Sequence, residues 1–339
     1  MSKRYKVGIV GAGLVGEELV RVLEQRRFPM GELRVLARSD RVQEIAGSDR
    51  QVVQASPEAF DGLDIALFAG TEGAAGASKL YGWGAVEKGV FVIDNGNDFR
   101  MDERVPLVVP EVNAEALRKH QGFVSNPNCS TIQMVVALAP LHLAARIRRV
   151  VVSSYQAVSG TGRGGVQALT QQRAAAASGG EFELGPYPHP IYNNCIPEIG
   201  GLKDDFPGYF SEEVKMILET RKILGCLDLA VTATCVRVPV ANGHSESINV
   251  ELERELSVEQ ARKLLAEAPG VEVVDDPAGH LYPLAAEASG KDAVYVGRIR
   301  KDPSRANALS LWCVSDNIRK GAALNAVQIA EKAIEMDLL

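Results

Sequence analysis

The chain has 339 residues, 46% of them hydrophobic and 24% charged, with a formal net charge of −6. That length accommodates two domains of ordinary size. The acidic balance argues against nucleic acid as the main partner, and no apolar run reaches the roughly 18 residues of a bilayer-spanning helix.

Residues 6–10 form a short apolar strand, followed by Gly11-Ala12-Gly13-Leu14-Val15-Gly16 and an amphipathic helix over residues 17–26. Further strands are expected at 32–37, 64–69, 90–94 and 107–110, with helical segments at about 75–88 and 113–120. Near-continuous apolar strands alternating with helices predict an α/β, Rossmann-type doubly wound parallel sheet. After residue 128 the strands lengthen and alternate, at 150–155, 247–252, 294–299 and 309–314. That pattern predicts an α+β domain with a mixed or antiparallel sheet. Residues 173–180 read as a helix end with a glycine stop. The division expected is 1–128 for the nucleotide-binding domain and 129–318 for a catalytic and dimerisation domain. The remaining segment, 319–339, is expected as a helix returning to the first domain.

The five cysteines show no Cys-x-x-Cys spacing. Residues 1–5 run straight into the first strand with no secretory pattern. Free thiols in a reducing cytoplasm, without a structural metal, are the expectation. Cys195, Cys226, Cys235 and Cys313 are expected to be small buried hydrophobes.

Gly11, Gly13 and Gly16 carry a G-x-G-x-x-G pattern between a strand and a helix, the context in which it binds a dinucleotide pyrophosphate. Leu14 and Val15 fall within that loop. Where an NAD enzyme offers an acidic residue to the ribose, this chain has Arg38 and Ser39, which suit a 2′-phosphate. NADP is therefore the expected cofactor, with Asp40 as the nearby dissenting charge.

Asn126-Pro127-Asn128-Cys129-Ser130-Thr131 places a cysteine where a strand-like run gives way to an apolar helical pattern (132–143). In the first turn of a helix the unpaired amides and the dipole favour an anion, so a thiol there is poised as a nucleophile.

With Ile132-Gln133 this stretch resembles the active-site signature of the aspartate-semialdehyde dehydrogenase family. So do residues 154–160 (Ser-Tyr-Gln-Ala-Val-Ser-Gly), 233–240, 243–247 and 315–325, in order along the chain. The resemblance implies NADPH-dependent reduction of β-aspartyl phosphate to aspartate semialdehyde in lysine, threonine and methionine biosynthesis, in a homodimer. It implies Cys129 as nucleophile, His244 as general acid/base and Gln156 as the group orienting the acyl chain. Arg237 would hold the substrate carboxylate, Arg100 and Lys215 phosphate, and Glu212 and Asn128 would contact substrate. Ser159, Gly160 and Asn317 fall at nicotinamide-side positions.

Taken singly, these residues have plainer readings. His244 sits in a loop before a strand, where a histidine is usually exposed. Gln156 could be a loop-side polar residue, Arg100 a partner of Asp102 or Glu103, and Lys215 one charge on a solvated helix face. The chain also departs from the family pattern. Its glycine loop is one residue short and lacks a threonine, Asp98 lies two residues before Arg100, and Ala241-Asn242 stand where a basic residue often precedes the glycine. A divergent paralogue, a non-catalytic partner subunit, and an N-acetyl-glutamyl-phosphate reductase are the alternatives.

Overall fold

A computed structural model describes residues 3–70 and 76–339. The chain forms two compact units, Met1–Asn128 with Gly321–Leu339, and Cys129–Lys320.

The first unit begins with β1 (Tyr5–Val10), α1 (Leu14–Gln25), β2 (Met30–Ala37), β3 (Arg41–Ile45) and β4 (Ser48–Gln54). It continues with β5 (Ile65–Phe68), α2 (Ala77–Glu87), β6 (Phe91–Asp94), α3 (Pro110–Asn113) and β7 (Phe123–Ser125). The sheet order is β3-β4-β2-β1-β5-β6-β7, and only the β3–β4 pair is antiparallel. Apolar residues on both faces explain the unbroken runs: Ile65 and Leu67 pack with Leu19, Leu23 and Val327, whereas Ala66 and Phe68 pack with Phe60 and Ala85. Val327 belongs to the last helix, Leu324–Glu335, which covers one face of this sheet.

Three local expectations are corrected. The run 107–110 is not a strand; Leu107 bridges Ser125 alone, and Pro110 opens α3, because proline brings no N–H to a ladder. α1 starts at Leu14, inside the glycine loop, three residues earlier than expected. The β3–β4 hairpin went unread because its strands are largely polar, with β3 at the edge of the sheet. Its two-residue turn, Ala46-Gly47, has positive φ at both positions, the type I′ geometry that matches strand twist. The expected helix at about 75–88 is α2, and its first expected position, Ala75, lies outside the described residues, as do Met1 and Ser2 of the expected strand approach.

The second unit contains α4 (Cys129–Ala145), β8 (Ile147–Gln156), α5 (Arg163–Ser178), α6 (Ser211–Ile223), β9 (Ala230–Arg237) and β10 (His244–Leu252). α7 (Val258–Ala266), β11 (Val271–Val273), α8 (Ala285–Ala288), β12 (Val294–Lys301) and β13 (Ala308–Ser315) complete it. Its sheet is mixed, in the order β11-β12-β13-β10-β8-β9, with β8–β9 and β11–β12 parallel. α4 is apolar on all sides because it is enclosed, packing over β8, β10, β12 and β13 and against α6 and α7. Gly179 ends α5 in the left-handed conformation. Among the described residues no helix is long and apolar enough to cross a membrane.

Candidate active site

Cys129 is the first residue of α4, and its side chain is partly exposed. Of the other cysteines, Cys235 and Cys313 are buried as expected, in β9 and β13. Cys195 is exposed and Cys226 only half-buried, so neither is the small core residue expected; both lie in loops between named elements.

The register of the second sheet assembles three of the named residues. Gln156 pairs with Arg237 across β8–β9, and His244 pairs with Ser315 across β10–β13. Continuing β10–β8 one step beyond Ser245↔Tyr155 sets His244 opposite Gln156. Paired residues point to one face, so Ser315, His244, Gln156 and Arg237 form a single cross-strand row. A second row, Cys313, Glu246, Ser154 and Cys235, lies two residues deeper and is wholly buried. Gln156 Nε2 donates to Ser130 Oγ at 2.7 Å, which ties the row to the first turn of α4.

His244 is not a loop residue and is not exposed: it opens β10 with 0% of its surface accessible. Its Nδ1 accepts the Ala157 N–H at 3.0 Å, and Nε2 has no hydrogen-bond partner among the described residues. Burial, and then the Arg237 guanidinium, push its pKa down to about 3, with Glu212 acting in the opposite sense. Desolvation and the neighbouring positive charge both favour the neutral ring.

Arg237 is buried, and its Nη1 donates to the Ala157 carbonyl at 2.7 Å. Gly160 is required beside this pair, because a Cβ there would lie 2.8 Å from Arg237 Nη1 and 3.3 Å from His244 Nε2. Gln156 is a buried strand end rather than a loop residue, and its amide also reaches Glu212 Oε1 at 3.3 Å. Glu212 and Lys215 are neighbours on α6, 3.5 Å apart. Their side chains are only 9% and 16% exposed, so this is not a solvated helix face. Asn317 Nδ2 donates to Ser159 Oγ at 3.0 Å, and its Oδ1 accepts the Gly243 N–H at 2.9 Å.

Sequence reasoning missed two supporting residues. Asn242 accepts from Ser159 Oγ at 2.9 Å, where a basic residue was missed as an absence only. Asp316 accepts from Asn242 Nδ2 and from the Ile318 and Arg319 amides, clasping the loop before His244. The Ser-Asp-Asn run was the signal available for Asp316.

In the first unit, Gly11 has φ +115°, and a Cβ on Gly16 would lie 1.8 Å from the Gly11 carbonyl oxygen. The backbone therefore turns tightly into α1, whose first amides a helix leaves without internal partners. A cavity of about 600 Å³ borders this loop, lined by Gly11, Gly13, Ala37, Arg38 and Arg41 among others. Arg38 and Ser39 are exposed, and Arg41 donates to the Ser39 carbonyl at 3.1 Å. Asp40 is engaged elsewhere, accepting the Gln54 N–H at 2.7 Å. A glycine cradle at a helix N-terminus with two guanidiniums beside it fits the phosphates of a dinucleotide cofactor.

Arg100 is buried; its Nε donates to the Asn126 carbonyl at 3.0 Å and its Nη2 to the Asn95 carbonyl at 2.7 Å. Asp98 pairs with Lys79 at 3.2 Å, and Asp102 takes the guanidinium of Arg104. Asn126 also accepts from Asn325 Nδ2 at 2.7 Å, and Asn128 is buried at the end of this segment. Asp94, at the end of β6, has its pKa raised to about 6 by burial, against the Gly96 N–H, Ser78 and Arg100.

The family model described as semialdehyde dehydrogenase, NAD binding domain, matches residues 6–120, and that for the semialdehyde dehydrogenase dimerisation domain matches residues 138–320. The chain is 47% identical to an aspartate-semialdehyde dehydrogenase of Bacillus subtilis over 351 residues, covering 100% of both chains. It is 49% identical to an aspartate-semialdehyde dehydrogenase of Aquifex aeolicus, covering 99% of both. Among solved structures, aspartate semialdehyde dehydrogenase II of Vibrio cholerae complexed with ASA matches with a TM-score of 0.93 and 42% identity. That match covers 98% of this chain and 99% of the other.

Proposed function

Because the chain belongs to the aspartate-semialdehyde dehydrogenase family, a family of oxidoreductases, we propose that it interconverts β-aspartyl phosphate and aspartate semialdehyde with NADP. The observation that carries this reading is the row of Gln156, Arg237 and His244 tied through Ser130 to the helix turn of Cys129. The resemblance implies a role in lysine, threonine and methionine biosynthesis, and the match to a dimerisation domain supports a homodimer.

An acyl phosphate is a good electrophile but a poor hydride acceptor. The Cys129 thiolate, favoured at a helix N-terminus, converts it to a thioester and divides one difficult step into two. NADPH, when bound, supplies the hydride. Gly11, Gly13, Leu14, Val15 and Gly16 would hold the pyrophosphate, Arg38 and Ser39 the 2′-phosphate, and Ser159, Gly160 and Asn317 the nicotinamide side. Arg237 has the planar fork that grips a carboxylate bidentately, and its bond to Ala157 fixes that fork in orientation. Glu212 and Asn128 contact the rest of the substrate, Gln156 orients the acyl oxygen, and Arg100 and Lys215 hold phosphate.

The test is NADPH formation from aspartate semialdehyde, NADP and phosphate, run beside Cys129→Ser. Phosphate-dependent turnover that disappears in the variant, with NADP binding retained, is the expected result. A folded, NADP-binding protein without turnover would favour a divergent paralogue. Turnover of N-acetylglutamate semialdehyde instead would make it a reductase of that substrate.

A further inference from the structure

Three asparagines of the first unit are joined side chain to side chain. Asn325 Nδ2, on the last helix, donates to Asn126 Oδ1 at 2.7 Å, and Asn126 Nδ2 donates to Asn95 Oδ1 at 2.9 Å. Asn95 Nδ2 then donates to the Phe68 carbonyl at 2.7 Å. Asn126 directly follows β7, Asn95 directly follows β6, and Phe68 ends β5. The relay therefore crosses the carboxyl ends of three adjacent strands, the edge at which open α/β sheets bind ligands. Both of its ends rest on backbone carbonyls, which only accept: Phe68 at one end, and Val108, which takes a bond from Asn325 Nδ2 at 3.0 Å, at the other. That fixes which way each carboxamide faces. Every bond between them runs in the same direction, so each polarises the next.

Asn325 is fully buried, and its neighbours on the helix, Leu324, Val327 and Ala330, belong to the apolar core over the sheet. A position that had only to fill this core would be apolar, because burying a carboxamide is costly unless its donors are used. What the relay holds is Arg100. The guanidinium gives Nε–H to the Asn126 carbonyl at 3.0 Å and Nη2–H to the Asn95 carbonyl at 2.7 Å. The two residues that receive the relay thus also fix one edge of the guanidinium plane. A shift of either strand end tilts that plane.

We propose that Asn325 is a positioning residue for phosphate: through Asn126 and Asn95 it sets the plane of Arg100, and it touches no substrate itself. This rests on the phosphate role proposed above for Arg100. A guanidinium binds phosphate oxygens through paired, directional N–H donors, so the orientation of its plane matters as much as its charge. Loosening the relay therefore weakens phosphate selectively. The substrate carboxylate falls to Arg237, which lies on β9 of the second unit and is oriented by its own bond to Ala157.

Asn325→Ala removes both N–H donors. The first readout needs no substrate: hydrogen exchange of the Arg100 Nε–H in protein labelled with 15N-arginine, the signal being identified by its loss in Arg100→Lys. Exchange about tenfold faster than in wild type is expected in Asn325→Ala. An unchanged rate overturns the proposal. The second readout is steady-state kinetics in the phosphorylating direction. The KM for phosphate should rise about tenfold in Asn325→Ala, while the KM values for aspartate semialdehyde and NADP stay within about twofold. An equal rise in all three marks general loosening and overturns the proposal. In an Arg100→Lys background, which keeps the charge but has no plane to set, Asn325→Ala should add little to the KM for phosphate; a fully additive effect overturns it. If Asn325→Ala does not fold, Asn325→Ser, with one shorter donor in place of two, is read by the same criteria. An Arg100→Lys variant with an unchanged KM for phosphate would refute the phosphate role of the Arg100 fork, and the exchange measurement would still report whether Asn325 holds it.

Discussion

Gln156, the last residue of β8, donates from Nε2 to Ser130 Oγ, the second residue of α4, at 2.7 Å. One hydrogen bond thus joins the sheet row to the turn that carries the nucleophile. Ser130→Ala removes it and leaves Gln156 held by Glu212 and Ser154. A positioning role predicts a kcat lower by roughly fivefold, the worth of about 1 kcal/mol, with KM little changed. Gln156→Ala should cost more, about 10²-fold, if its amide meets the acyl oxygen. Equal small losses in both would reduce Gln156 to a structural residue.

Gly160 stands where a Cβ would lie 2.8 Å from Arg237 Nη1. Gly160→Ala is expected to displace the guanidinium and crowd His244, with kcat/KM falling by about 10²-fold. Circular dichroism should stay near wild type. Unchanged kinetics would show that the Arg237–His244 arrangement is not the one that meets substrate.

Arg38 and Arg41 line the cavity beside the glycine loop. Arg38→Ala should weaken NADP binding by roughly 10- to 100-fold, the worth of a charged hydrogen bond, and leave NAD almost unaffected. Fluorescence titration with both cofactors decides it. Parallel losses would mean that Arg38 does not meet the 2′-phosphate.

Asp94 makes stability pH-dependent. Its folded pKa, about 6, lies above the ordinary 3.8. The raised value means that its contribution is fully present below pH about 4 and is lost as pH rises through about 6, up to about 3 kcal/mol. Asp94→Asn keeps an oxygen for the Gly96 N–H and cannot ionise. Urea unfolding should therefore show it gaining on wild type at pH about 7 relative to pH about 4. A difference between variant and wild type that does not change with pH would refute the burial argument.

What the sequence by itself determined lies where the chemistry is local. The strand–glycine–helix succession around Gly11 and Gly16, the cysteine ahead of the apolar run at 132–143, and the change from continuous to alternating strands need only neighbours a few residues away, and the α/β fold followed from them. Errors arose where a local pattern competed with a distant one. Residues 107–110 are apolar enough for a strand, but Pro110 starts a helix; β3 and β4 are too polar to read, yet they pair through a tight turn.

Only the tertiary structure decided the state of His244. Its neighbours in sequence, Gly243 and Ser245, suggest an exposed loop. The amide at Nδ1 comes from Ala157, just past β8, and the Arg237 charge from β9, both distant in sequence and brought in by strand register. Solvent exclusion and fixed dipoles set the charge of a titratable group, and both are properties of what packs around it. Sequence can therefore name Gln156, Arg237 and His244 singly, but their meeting in one row, and the protonation state that results, belong to the folded sheet.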